Sequence, residues 1–212
     1  MPDVFNSPAD KWVALVRHLP PVISAGVCYG RLDVAARAVT PTELDAIRML
    51  IAHLNAPRVL SSPALRCRML AEPLASALGT MPVLDSRLLE LDFGDWEGRR
   101  WDDLDRAALD RWAADPGGFV PPGGEPVSAL VARVVALAQD LRASGDAAIV
   151  VSHGGPLRLL GPMLRGEAVD GLKPPPPFGE VRLCAVQRRS AAAVVRTAHS
   201  VTCSAAPRTS PV

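Results

Sequence analysis

Apolar positions along this chain fall into two kinds of run. Val13-Ala14-Leu15-Val16 and Ala147-Ala148-Ile149-Val150-Val151 are short and unbroken, and each ends on polar residues. Such runs suit strands covered on both faces, as in a parallel sheet. The pattern predicts strands at 12–16 and 147–152, with Pro57 to Leu60 as a third. Elsewhere the apolar spacing changes to three and four. Thr40-Pro41-Thr42-Glu43 is a helix start, with Thr40 as cap, Pro41 at the first helical position and Glu43 closing a capping box. That helix is expected to reach about Leu54, with Leu44, Ile47, Leu50, Ile51 and Leu54 on its apolar face. Ser61-Ser62-Pro63 repeats the arrangement, with Ser62 as cap and Pro63 first. Arg66 then falls in the first helical turn.

Further on, Val83 to Leu91 reads as extended and Phe93 to Gly98 as a turn-rich loop. A helix is expected from about Trp101 to Ala114. Asp115-Pro116-Gly117-Gly118 and Pro121-Pro122-Gly123-Gly124 punctuate the chain. A long helix over 127–143 has Leu130, Val131, Val134, Val135, Leu137 and Leu141 to bury. Pro156 opens another, to about Leu164. Pro174 to Pro177 is a rigid connector. Val181–Gln187 and Ala192–Thr197 read as two closing strands, a hairpin at the sheet edge. Strands alternating with helices predict an α/β sandwich in one domain spanning residues 1–212. Residues 1–11 form a loose lead-in and 202–212 a disordered tail.

Composition narrows the functional classes. The 212 residues are 49% hydrophobic, enough for one sizeable core. Lys and Arg number 23 against 22 Asp and Glu, so no field of one sign draws the molecule to nucleic acid or to a membrane surface. Cys28, Cys67, Cys184 and Cys203 are scattered without a Cys-x-x-Cys pair, which argues against a disulfide framework or a zinc site. Met1 to Lys11 lacks the pattern of a signal peptide, and every apolar run is too short to span a bilayer. The expectation is a soluble cytoplasmic protein with no metal or other cofactor.

Candidate chemistry sits at the strand ends. Arg17 and His18 follow the first strand, Arg66 lies just past the second, and His153 ends the 147–152 run. If these strands are parallel neighbours, their carboxyl ends bring the four side chains to one edge. Two guanidiniums and two imidazoles crowded together call for an anion between them, and arginine's planar fork suits phosphate oxygens. Helix starts after Ser62 and His153 add backbone N–H groups. A neutral imidazole in such a site can attack phosphorus, provided its other nitrogen is held as a donor, usually by a backbone carbonyl. Arg17, Arg66 and His153 can supply the cations that the phosphoryl oxygens need. Glu90 can protonate the leaving oxygen, with Glu97 and Asp95 as rivals.

In this order, Val13–His18, Ser61-Ser62-Pro63 with Arg66, Glu90 ahead of Phe93-Gly94-Asp95-Trp96-Glu97-Gly98, and Ser152-His153-Gly154-Gly155 resemble the histidine phosphatase superfamily, the phosphoglycerate mutase-like family. The resemblance runs from about residue 12 to about 165. It implies a three-layer fold, a central, mostly parallel sheet between helices. It further implies His18 as phosphorylated nucleophile, Arg17, Arg66 and His153 as phosphate pocket, Glu90 as proton donor, and no metal. The expected substrate is a small phosphate ester. Cys28 to Asp33, Trp96-Glu97-Gly98 with Trp101, and Pro122 to Glu125 look most like the α-ribazole phosphatase branch, which acts late in building the lower ligand of cobalamin. Arg31, Tyr29 and Gly154 are candidate substrate contacts. A mutase of the same superfamily and a non-catalytic phosphate-binding member are the alternatives. One departure stands out: the family follows its Arg-His pair with glycine and polar residues, whereas this chain has Leu19-Pro20-Pro21.

Overall fold

A computed structural model describes residues 11–55, 57–171 and 173–187. Among the described residues five strands form one sheet: β1 (Lys11–Arg17), β2 (Arg58–Ser61), β3 (Val83–Leu84), β4 (Ala148–Ser152) and β5 (Val181–Val186). Their order is β3-β2-β4-β1-β5. The first four are parallel, and β5 runs antiparallel along β1 at the edge. Five helices connect them: α1 (Pro41–Ile51), α2 (Leu65–Ala77), α3 (Arg106–Ala114), α4 (Val127–Ser144) and α5 (Gly154–Arg165).

The unbroken apolar runs divide between two cores by strand alternation, because successive side chains leave a strand on opposite faces. Val13 and Leu15 of β1, Leu60, and Ala148 and Val150 of β4 pack with α4 and α5. Ala14 and Val16, Val59, and Ile149 and Val151 pack on the other face with α1 and α2. Every residue of β4 is buried, which is why its run has no polar alternation. A third, smaller cluster joins Cys28, Trp96, Leu104 and Ala108 beneath the loops, with Phe93, Trp101, Trp112 and Phe119 against it. No helix of the described residues is long and apolar enough to cross a membrane.

Several elements differ from the sequence reading. Lys11 belongs to β1 rather than to the lead-in. The Thr40 capping box forms, but α1 ends at Ile51, three residues short of Leu54. Leu50 and Val135 face solvent rather than the core. The second cap does not form: α2 begins at Leu65 after Ala64, without a side-chain cap, and the Ser62 hydroxyl, two residues ahead of Ala64, accepts from the Ala64 amide (3.4 Å) and meets His153. The expected 101–114 helix is a single turn at Trp101–Asp103 followed by α3, with Asp105 capping α3 through the Ala107 and Ala108 amides. Of the extended passage 83–91 only β3 pairs. Helix α5 begins at Gly154, two residues ahead of Pro156. The Ala192–Thr197 strand, the tail from 202 and residues 1–10 lie outside the described residues.

Candidate active site

Register brings the chemistry together. Arg17 of β1 lies beside Ser152 of β4, and Ser61 of β2 beside Val151. The next residues, His18 and His153, therefore leave β1 and β4 side by side, and Ser62 leaves β2 one residue behind them. The His18 amide donates to Ser152 O (3.0 Å) and the Ser62 amide to Val151 O (3.0 Å), which extends the ladder to the site. The ring centroids of His18 and His153 stand 5.2 Å apart.

His18 is 1% exposed. Its Nδ1 lies 2.7 Å from the Leu19 carbonyl oxygen. A carbonyl can only accept, so Nδ1 carries the proton and Nε2 the lone pair. Burial, reinforced by Arg66 and Arg17, pushes the His18 pKa down to about 3 against the opposing pull of the Leu19 carbonyl. The ring is therefore neutral and nucleophilic at ordinary pH. Leu19 stands where the family pattern has glycine, yet the group that orients His18 is a backbone carbonyl, which any residue provides.

His153 is oriented from both sides. The Nε–H of Arg66 donates to its Nδ1 (3.1 Å). Its Nε2 therefore bears the proton, which it donates to the Ser62 hydroxyl (2.8 Å). Burial, then the Arg66 charge, hold its pKa well below the usual histidine range. The sequence reading counted His153 among the cations; here it is a neutral donor. Positive charge comes from Arg17 and Arg66. Arg66 is fully buried. Its terminal nitrogens are held by the Gly30 carbonyl and the Leu32 carbonyl (2.8 Å), and it lies 5.2 Å from the Tyr29 ring centroid. Arg17 donates to Pro176 O (2.6 Å) and interacts with Tyr29, with its guanidinium 3.8 Å from the Phe178 ring centroid.

Glu90 reaches the site from the segment after β3. Its Oε2 accepts from the Gly155 amide (3.1 Å) at the start of α5, and its Oε1 from the Leu91 amide (3.1 Å). The paired glycines are required by these neighbours. A Cβ on Gly155 would overlap the Glu90 carboxylate, and one on Gly154 would stand 2.8 Å from Pro175 Cβ and 3.3 Å from the Arg17 guanidinium carbon. Gly154 thus sits beside Arg17. Tyr29 touches both arginines. Arg31 is ion-paired to Asp92 (3.3 Å) and Glu125 (2.9 Å). Of the rival acids, Glu97 is taken up by the amides of Arg31 (2.7 Å) and Phe93 (3.0 Å).

Residues 13–198 match the model of the histidine phosphatase superfamily, branch 1. The chain belongs to this superfamily. Relatives differ in what their names say they act on. A provisionally named phosphoserine phosphatase 2 of Hydrogenobacter thermophilus is 29% identical over 76% of this chain and 82% of its own length. The adenosylcobalamin/α-ribazole phosphatase of Salmonella typhimurium is 33% identical over 56% of this chain and 61% of its own. The solved structure of a mycobacterial glucosyl-3-phosphoglycerate phosphatase is 25% identical and superposes with a TM-score of 0.63, covering 76% of this chain and 82% of that one. Phosphatase chemistry is common to the three names, and the leaving group is not.

Three contributors were not singled out from sequence as site residues. Ser62 was read as a helix cap. Phe178, which lies 5.3 Å from the His18 ring, follows a run read only as a connector. Arg133 donates to the Leu89 and Glu90 carbonyls from α4. A signal for Arg133 existed: it falls three residues after Leu130 and one before Val134, inside the buried stripe of α4.

Proposed function

We propose that the protein hydrolyses a small phosphate monoester through phosphohistidine. The observation that carries this reading is the His18 ring, neutral and locked by Leu19 O, standing among Arg17, Arg66 and the His153–Ser62 pair. In the first step the Nε2 lone pair of His18 attacks phosphorus, the ester P–O bond breaks, and Glu90 protonates the departing oxygen. In the second, water attacks the phosphohistidine, Glu90 takes its proton, the N–P bond breaks and orthophosphate leaves. Arg17 and Arg66 stabilise the charge on the phosphoryl oxygens, so the reading needs no metal ion.

For the substrate we favour a flat, nucleoside-like leaving group such as α-ribazole 5′-phosphate. Phe178 supports this: it is 39% exposed and lies beside His18 and Arg17. The tryptophans offer less, since Trp101 and Trp112 stack on each other with centroids 5.8 Å apart and Trp96 stacks on Phe119 at 5.6 Å. Brief incubation with a 32P-labelled ester tests the mechanism. Acid-labile, base-stable label is expected on His18, with or without chelator, together with free orthophosphate. Label surviving in His18→Ala, label on a carboxylate, or a product that is an isomerised ester would overturn it.

A further inference from the structure

The Pro122 to Glu125 motif has no part in the chemistry above, yet its last residue is tied to both halves of the site. The loop docks on the segment that follows Glu90. The Asp95 amide donates to Pro122 O (2.8 Å), and the Glu125 amide to Asp92 O (3.0 Å). Two glycines permit this approach. Gly94 has φ +54° and a Cβ there would overlap Pro122 O; a Cβ on Gly124 would stand 2.5 Å from Asp92 O.

This docking seats the Glu125 carboxylate, only 16% exposed, between two arginines. Its Oε1 accepts from Arg133 (2.6 Å) and from the Asp92 amide (3.2 Å), and its Oε2 from Arg31 (2.9 Å). Both arginines then turn to the backbone of the acid. Arg133 donates to Glu90 O (3.0 Å) and to the Leu89 carbonyl, and Arg31 to Glu90 O (3.4 Å). Arg31 also sits between Gly30 and Leu32, whose carbonyls hold the guanidinium of Arg66. One carboxylate thus braces the peptide that carries the acid and the loop that aims the phosphate clamp.

We propose that Glu125 is a positioning residue, which sets the Glu90 carboxyl against His18 by holding Arg31 and Arg133 together. The proposal rests on the reading of Glu90 as proton donor. Glu125→Gln keeps the size but removes the charge, and its amide must turn N–H groups towards one of the arginines. The acid peptide then loses its brace while His18 keeps its own carbonyl. Misplacement of a reacting group by about 1 Å costs on the order of a hundredfold in rate.

The test compares two esters. A proton donor matters for a poor leaving group, such as the alkoxide of glyceryl phosphate, and little for p-nitrophenolate. Rates per active site, counted by phosphohistidine stoichiometry, remove any loss that comes from misfolded protein. Glu125→Gln is expected to lower kcat/KM on glyceryl phosphate at least roughly tenfold more than on p-nitrophenyl phosphate, as Glu90→Gln should. Arg133→Lys, which keeps charge but loses the fork, is expected to fall on the same side with a smaller ratio. Equal losses on both esters for Glu125→Gln and Arg133→Lys, with Glu90→Gln selective, overturn the positioning role alone. Equal losses for Glu90→Gln overturn the reading of Glu90, and the positioning role with it.

Discussion

His18, the proposed nucleophile, combines a free lone pair on Nε2 with burial that would suit an apolar side chain. Its depressed pKa has a consequence for stability. Between about pH 6.5 and its folded value of about 3, the unfolded chain binds a proton that native His18 refuses. The stabilisation is complete above the unfolded value and is lost as pH falls towards the folded one. His153 acts in the same direction. In urea titrations at pH 7 and pH 4.5, wild type should lose roughly 2 kcal/mol more than His18→Asn on acidification. Equal losses would mean that native His18 accepts the proton. The buried thiols offer no competing nucleophile, since burial pushes Cys28 and Cys67 up to about 12.

At the scale of elements, the start of α5 is shaped for the site more than for the helix. Alanine at an ordinary helical position is favoured over glycine by up to about 1 kcal/mol. Gly155 forgoes this because its missing side chain leaves room for the Glu90 carboxylate, which its amide holds. Gly155→Ala should therefore behave as an acid mutant although it replaces no acidic residue. Its loss of kcat/KM should be at least roughly tenfold greater on glyceryl phosphate than on p-nitrophenyl phosphate. An unselective loss would mean that the alanine disturbs His153 or Arg17 instead. Helix α2 likewise starts without a side-chain cap, and the Ser62 hydroxyl just ahead of it is a partner of His153.

Across the whole molecule, three loops far apart in sequence meet around one sheet edge: 28–33, 121–125 and 174–178. The first two converge on Arg31 and the Glu90 peptide, and the last lays Phe178 and Pro176 over Arg17. The leaving group would then meet an aromatic ring beside His18, whereas Arg31, a candidate contact for a substrate carboxylate, is already paired with two acids. This favours a flat riboside over phosphoserine. With esters in competition, kcat/KM for α-ribazole 5′-phosphate should exceed that for p-nitrophenyl phosphate by at least roughly tenfold, about 1.4 kcal/mol of transition-state binding, and that for phosphoserine by more. A preference for phosphoserine, or none for the riboside, would retire this substrate and leave the histidine mechanism untouched.

Local pattern determined a good deal by itself. Unbroken apolar runs declared β1 and β4 as doubly covered strands, the Thr40 box placed the start of α1, and the polar residues that end the runs marked Arg17, His18 and His153. These are properties of neighbours in sequence, and period and capping act at that range. Tertiary structure decided which runs lie side by side. β1 pairs with β4, some 130 residues later in the chain, and only that pairing sets His18 against His153. It also decided the His153 tautomer, the fate of the Ser62 hydroxyl and the bracing of Glu90 by Arg133 and Glu125. A local pattern records which face a side chain leaves, but a hydrogen-bond partner drawn from a distant segment is chosen only when packing has brought that segment within about 3 Å.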